Sequence, residues 1–214
     1  MQPPRATLWP MSLPSPKRRE PGRPLALHDR AMDDLRYIRE TMERSQSFTA
    51  VPGKGGVVMG CIALAASLVA VRAPSTEAWV AIWIAAAILS YAVALAAMAR
   101  KAKAAGEAMF AGAGRKFAWN LTPPLLVGGL LTVALTHAGA TQLLPGAWLL
   151  LYGAGVVAGG AFSVRVVPLM GFTFMVFGSL ALFAPAGWEN LIMAVGFGGL
   201  HVLFGIVIWR KHGG

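Results

Sequence analysis

The sequence predicts an all-α polytopic membrane protein with six transmembrane helices, preceded by a short N-terminal amphipathic cytoplasmic helix. Three observations carry that expectation. Six apolar stretches, at roughly 56–72, 78–98, 121–137, 146–163, 166–184 and 189–209, hold no Asp, Glu, Lys or Arg in their central thirds. About 20 mostly apolar residues let an α-helix cross a bilayer, because every backbone N–H and C=O must be satisfied within the segment. The chain is 56% hydrophobic and only 13% charged, with a mean hydropathy of +0.59, whereas a soluble domain carries roughly 25% charged residues. Finally, the cations flank the stretches on one side.

Residues 1–26 form a Pro/Arg-rich tail, with seven prolines in the first 24 residues and a Lys17-Arg18-Arg19 run. Such a composition cannot bury a core and reads as disordered. It lacks the apolar region of a signal peptide. The tail also reads as an extension outside the native chain, since Met32 stands directly before Asp33-Asp34-Leu35, where the composition changes.

Residues 27–55 hold an amphipathic cytoplasmic helix and a linker. Ala31, Leu35, Ile38, Met42 and Ser45 fall on one helical stripe. Arg36–Glu40, Arg39–Glu43 and Glu40–Arg44 pair across a turn, each pair contributing a few tenths of a kcal/mol. With five acids and four bases between Asp29 and Arg44, the helix is nearly neutral, unlike a polybasic membrane-surface helix. It packs on the protein's own cytoplasmic face or docks a partner.

The six-helix domain then occupies 56–214. The second span continues as helix through the Ala-, Lys- and Glu-rich stretch to about 109. Gly112 and Gly114 end it, and Pro123-Pro124 opens the third span. The fourth and fifth spans are joined by a tight turn at 163–167, the fifth and sixth at Pro185-Ala186-Gly187. Short connections force antiparallel neighbours, so the last three spans form one compact unit.

The net charge of +10 reports topology rather than nucleic-acid binding. Lys54, Arg100, Lys101, Lys103, Arg115, Lys116, Arg165, Arg210 and Lys211 lie near span ends on one side, with Arg72 alone on the other. The positive-inside rule then places both termini in the cytoplasm. Trp79, Trp83, Trp119, Trp148, Trp188 and Trp209 fall near span ends, as interfacial belts do. The single cysteine, Cys61, lies within the first span and reads as a small packing residue.

Four segments carry a resemblance: Arg-Glu-Thr-Met-Glu-Arg at 39–44, Ser-Phe-Thr-Ala-Val-Pro-Gly at 47–53, Leu-Tyr-Gly-Ala-Gly at 151–155 and Gly-Gly-Leu-His-Val-Leu-Phe-Gly at 198–205. Together they resemble a group of small bacterial integral-membrane proteins of no assigned function, over roughly 33–214. The resemblance implies a bacterial inner-membrane location. It brings no active-site template.

Within the spans, Gly56 with Gly60 and Gly155 with Gly159 form small-xxx-small pairs. In lipid there is no hydrophobic drive between helices, so close backbone approach at small residues supplies much of the packing. These glycines are expected to pack the protein's own helices or, alternatively, to mark a homodimer face.

His201 is the most informative polar residue. It lies about twelve residues into the last span, roughly 18 Å from its start at 1.5 Å per residue. Ionisable groups at that depth are functional candidates. Neutral histidine is also the cheapest of them to bury, and Tyr152, Ser163, Thr173 and Ser179 are hydrogen-bonding types at matching depth. His201 and Tyr152 are therefore the candidate ligand-binding residues. The Met- and Phe-rich fifth span, from Met170 to Phe177, offers an apolar groove lining.

No catalytic residue, metal site or cofactor emerges. His137 and His201 differ in depth by about 15–18 Å at 1.5 Å per residue, too far apart to share one iron. No carboxylate pair lies within a span, and Glu189 sits at a helix start, where the macrodipole stabilises it. No glycine precedes a Lys-Ser or Lys-Thr in a phosphate-binding context.

Two functions follow as expectations. One is an accessory or interaction subunit of a membrane complex, holding a membrane-protein partner or a second copy. The alternative is a small transporter, or a membrane protein binding a lipid or other hydrophobic ligand in a cavity near His201. The partners are the bilayer and membrane components, not nucleic acid. An enzyme ranks third, since no reaction attaches to named residues.

Overall fold

The computed structural model describes residues 29–38, 51–104, 106, 112–161 and 163–212. Contacts divide the chain into two units, Met1–Met42 and Glu43–Gly214. Of the first, residues 29–38 are helical (α1) and all exposed. Met42 and Ser45 of the expected stripe, and the tail, lie outside the described residues.

The second unit is all-helical, with no strand among its described residues. Its helices are α2 (Gly53–Ala70), α3 (Thr76–Ala104), α4 (Gly112–His137), α5 (Leu144–Gly160, entered through a 3-10 turn at Thr141–Leu143), α6 (Val166–Ala181) and α7 (Glu189–His212). Five of them are long and apolar enough to cross a membrane, and α6 is shorter at 16 residues. These helices mark the chain as membrane-embedded.

Two boundaries differ from the sequence reading. Helix α3 stops at Ala104, and Gly106, at φ 69°, takes the left-handed conformation that ends helices. Gly112 and Gly114 consequently open α4 rather than closing α3. Pro123 and Pro124 lie inside α4, not at its start. Each removes an amide N–H, and the helix persists because its neighbours hold it, as spanning helices allow.

Close approach at glycine decides which helices pair. A Cβ at Gly60 would lie 2.7 Å from the Gly198 carbonyl oxygen of α7, and one at Gly56 would lie 3.2 Å from the Gly205 Cα. Between α5 and α6, a Cβ at Gly171 would lie 2.7 Å from both the Gly153 oxygen and the Val157 nitrogen. On its other face α5 meets α4, where Gly155 backs onto Leu121 and Gly159 onto Phe117. All four glycines singled out in the sequence thus face helices of their own chain.

Helix order around the bundle is α3, α2, α7, α6, α5, α4. Helix α3 packs on α2 and α4 packs on α5, and the two do not pack along one another. Only 6% of the most apolar window of α3 is buried, and 11% of that of α4, against 39–50% for α2, α5 and α7. A cleft therefore opens between α3 and α4.

Cys61 is exposed, because Gly56, Gly60 and Ala63 form the packing face of α2. Trp83 is only 3% exposed and joins a core with Ala63, Ala66 and Met193, so it is not an interfacial residue. Trp119, Trp188 and Trp209 are exposed.

Glycine packing makes a testable contrast. Gly171→Leu is expected to cost about 1–3 kcal/mol by overpacking. Gly129→Ala, where an added Cβ meets nothing within 4 Å, is expected to leave stability unchanged or raise it by up to about 1 kcal/mol through helix propensity. Thermal unfolding in mild detergent, followed by circular dichroism, measures both.

Candidate functional site

The cleft between α3 and α4 leads into a cavity of about 450 Å³. Its walls follow helical spacing. Along α3, Trp83, Ala87, Ser90, Ala94 and Met98 form one stripe. Along α4, Phe117, Leu121, Gly128 and Thr132 form another. Helices α5 and α7 close the back with Trp148, Tyr152, Phe197 and His201. Ile84, Ile88 and Tyr91 line the cavity yet remain exposed, so the space is open on the α3 side.

From Trp83 to Met98 the lined stripe runs about 22 Å at 1.5 Å per residue. That is longer than one leaflet, about half of a ~30 Å hydrocarbon core. The lining residues cover that whole length, which suits a hydrocarbon chain. No Asp, Glu, Lys or Arg lines it among the described residues.

At the wall, His201 and Tyr152 are in direct contact. The Tyr152 hydroxyl lies 2.7 Å from His201 Nε2, and His201 Nδ1 lies 2.8 Å from the Phe197 carbonyl oxygen. A carbonyl only accepts, so Nδ1 carries the proton and donates to it. In the neutral imidazole Nε2 then accepts, and the Tyr152 hydroxyl donates to it. Phe174 packs edge-on against both rings, 4.9 Å from Tyr152 and 5.0 Å from His201, and Phe197 stacks on His201 at 6.0 Å and 18°. His201 is 3% exposed and Phe174 fully buried.

The backbone explains why this histidine reaches that carbonyl. Residues Ala194–Leu200, just before His201, are π-helical. Such turns are rare within α-helices and are frequent at functional sites. Here the His201 backbone N–H goes to the Gly198 oxygen, and the His201 ring bonds the Phe197 oxygen. Gly196, Gly198 and Gly199 are the sequence signal that accompanies the distortion.

The other hydroxyls considered for His201 lie elsewhere. Thr173 bonds the Leu169 oxygen and Ser179 the Met175 oxygen, each on its own helix. Of the expected groove lining on α6, Met170 faces the cavity, whereas Phe172 is 55% exposed. Two polar contacts were not anticipated from sequence. Trp148 Nε1 donates to Thr132 Oγ1 at 2.8 Å, and Thr132 donates on to the Gly128 oxygen at 2.7 Å. Asn190 Nδ2 donates to the Ser67 oxygen at 2.8 Å, tying α7 to the end of α2.

The two ends of the cleft carry different contacts. At one, Trp79 of α3 stacks on Trp148 of α5 at 5.9 Å and 4°. At the other, Lys101 of α3 donates to the Val51 and His212 oxygens at 3.0 and 2.9 Å. Among the described residues no group of three or more His, Cys, Asp or Glu is placed to hold a metal ion. Comparison of the chain with protein-family models, with curated proteins and with solved structures finds no match.

The His201–Tyr152 bond gives a direct test. Tyr152→Phe and His201→Leu each leave a buried polar group without its partner, an expected cost of about 1–3 kcal/mol. The double variant should cost less than the sum of the two, and a double-mutant cycle on thermal unfolding reads that coupling. Additive costs would remove the bond from the account.

Proposed function

We propose that this protein is an integral membrane protein of six spans, with α6 as the shortest, that holds a lipid hydrocarbon chain in the cavity beside His201 and Tyr152. The observation that carries this reading is the long cavity opening between α3 and α4, lined by no Asp, Glu, Lys or Arg among the described residues. A ligand entering through that cleft arrives from the bilayer and never crosses water. Its chain exchanges lipid neighbours for Leu, Ala, Phe and Met side chains at little cost. Specificity then rests on shape and on the few polar groups.

The His201–Tyr152 pair suits this role because its hydrogen bonds are made within the protein. An apolar chain beside it leaves no donor or acceptor unmatched. The bond also locks two aromatic rings of α5 and α7 in fixed positions, which keeps the back wall rigid.

The inner membrane of a bacterium, with both termini in the cytoplasm, is the proposed location. The support is the concentration of cations at one end of the helices and the resemblance of the sequence to small bacterial membrane proteins.

Holding a membrane-protein partner is the second reading. It is favoured by the exposed apolar side chains of α3 and α4 that face away from the cavity, such as Leu89, Leu126 and Leu130. In a bilayer, lipid covers the same surfaces.

Gentle extraction and mass spectrometry of bound lipid distinguish the readings. The wild type is expected to retain lipid. Gly129→Phe, which places a ring at the cleft where no neighbour lies within 4 Å of the new Cβ, is expected to lose most of it while unfolding at an unchanged temperature. Equal lipid retention by both proteins, or a protein partner at fixed stoichiometry with no lipid, would replace the cavity reading with the accessory one.

A further inference from the structure

We infer that the lipid held in the cleft is an acyl ester, whose carbonyl oxygen accepts a hydrogen bond from Trp83 Nε1 near the Trp79 end of the cavity. This rests on the cavity reading above and names both the chemical class of the ligand and the side chain that recognises it.

Among the described residues, three buried side-chain atoms have no hydrogen-bond partner: Trp83 Nε1, Thr136 Oγ1 and Asn190 Oδ1. Of these residues only Trp83 lines the long cavity. It is 3% exposed and packs with Ala63, Ala66 and Met193. Two neighbouring donors are already used, since Trp148 Nε1 goes to Thr132 and the Tyr152 hydroxyl to His201. Buried donors in native proteins nearly always have a partner, and one left without it costs free energy. An indole N–H only donates, so the missing partner is an acceptor.

Charge and depth narrow the acceptor to one kind. No Asp, Glu, Lys or Arg lines the cavity among the described residues, and an anion there would be buried without a counter-charge. The acceptor is therefore a neutral oxygen. Helix α3 has 29 residues, about 43 Å at 1.5 Å per residue, close to the ~40–45 Å of a whole bilayer. The hydrocarbon core takes about 30 Å of that, leaving an interfacial layer of about 5–8 Å on each side. Trp83 lies about 10 Å from the start of α3 at Thr76, just inside the hydrocarbon edge. Ester carbonyls, which join headgroup to chain, sit at that level. The lining from Trp83 to Met98 then receives the acyl chain.

The test titrates delipidated protein in detergent with two phosphatidylcholines of identical chains, one ester-linked and one ether-linked, and reads binding by native mass spectrometry. The ether lipid lacks the carbonyl oxygens. The wild type should prefer the ester lipid by about fivefold. Trp83→Phe keeps an aromatic ring without the N–H and should bind the two lipids equally. A loss of packing alone would weaken both lipids and leave their ratio as in the wild type. A second reading needs no variant. With isotope-labelled tryptophan in the wild type, one indole N–H resonance should move downfield with the ester lipid and stay in place with the ether lipid.

Equal binding of the two lipids by the wild type would overturn the ester assignment. So would a preference that survives Trp83→Phe. If Trp83→Phe does not fold, an indole spectrum that responds alike to both lipids overturns it. In each of these cases, loss of both lipids in Gly129→Phe leaves the cavity reading standing. If the wild type binds neither lipid, both readings fall together.

Discussion

Close approach of helix backbones at glycine is the constraint on which the rest of this structure depends. Membrane-embedded helices gain little from burying apolar side chains against each other, since lipid is as apolar as leucine. Pairing therefore goes to helices whose backbones can come nearest. Gly56 and Gly60 bring α2 onto α7, and Gly153 with Gly171 brings α5 onto α6. Helix α3 contains no glycine, and in α4 an added Cβ at Gly129 meets open space. Those two helices remain with one main neighbour each, and the cleft between them is the geometric result.

The site inherits its shape from that arrangement. With α2, α5, α6 and α7 clamped, the aromatic cluster of Tyr152, Phe174, Phe197 and His201 forms a fixed back wall. The flanking helices then supply a stripe of small and apolar side chains on either side of the opening. Polar groups of the back wall are matched to each other: Tyr152 to His201, His201 to the Phe197 carbonyl, Trp148 to Thr132. On the α3 side, Trp83 Nε1 is buried with no hydrogen-bond partner.

Much of the architecture was legible in the sequence, because span length and charge-free centres respond to the solvent and not to particular contacts. The helical class and the turns at 163–167 and 185–187 follow from such local signals. Boundaries failed where two signals competed. Gly112, Gly114 and the Pro123-Pro124 pair read as a stop and a start, yet Gly106 had already ended α3. Depth left Tyr152 as one of four hydrogen-bonding candidates for His201, with Ser163, Thr173 and Ser179, and their facing was not legible, since a π-helical turn precedes the histidine. Trp83 and Cys61 exchanged their expected environments because rotation about a helix axis cannot be read in a helix apolar on every side. The cavity was the least visible feature. It exists because two helices do not touch, and no residue encodes a missing contact.

The π-helical turn at Ala194–Leu200 also bears on how this chain tolerates change in length. A π turn holds one residue more than the α turn it replaces, so the segment behaves as an insertion absorbed within a helix. Removing one residue there would restore regular winding and leave the register of 201–212 as it is. Removing one residue after His201 would instead turn everything beyond by about 100°, carrying Ile208 out of the core and Arg210 away from its edge. Related sequences of different length should therefore vary at 194–200 and hold their spacing from His201 onward.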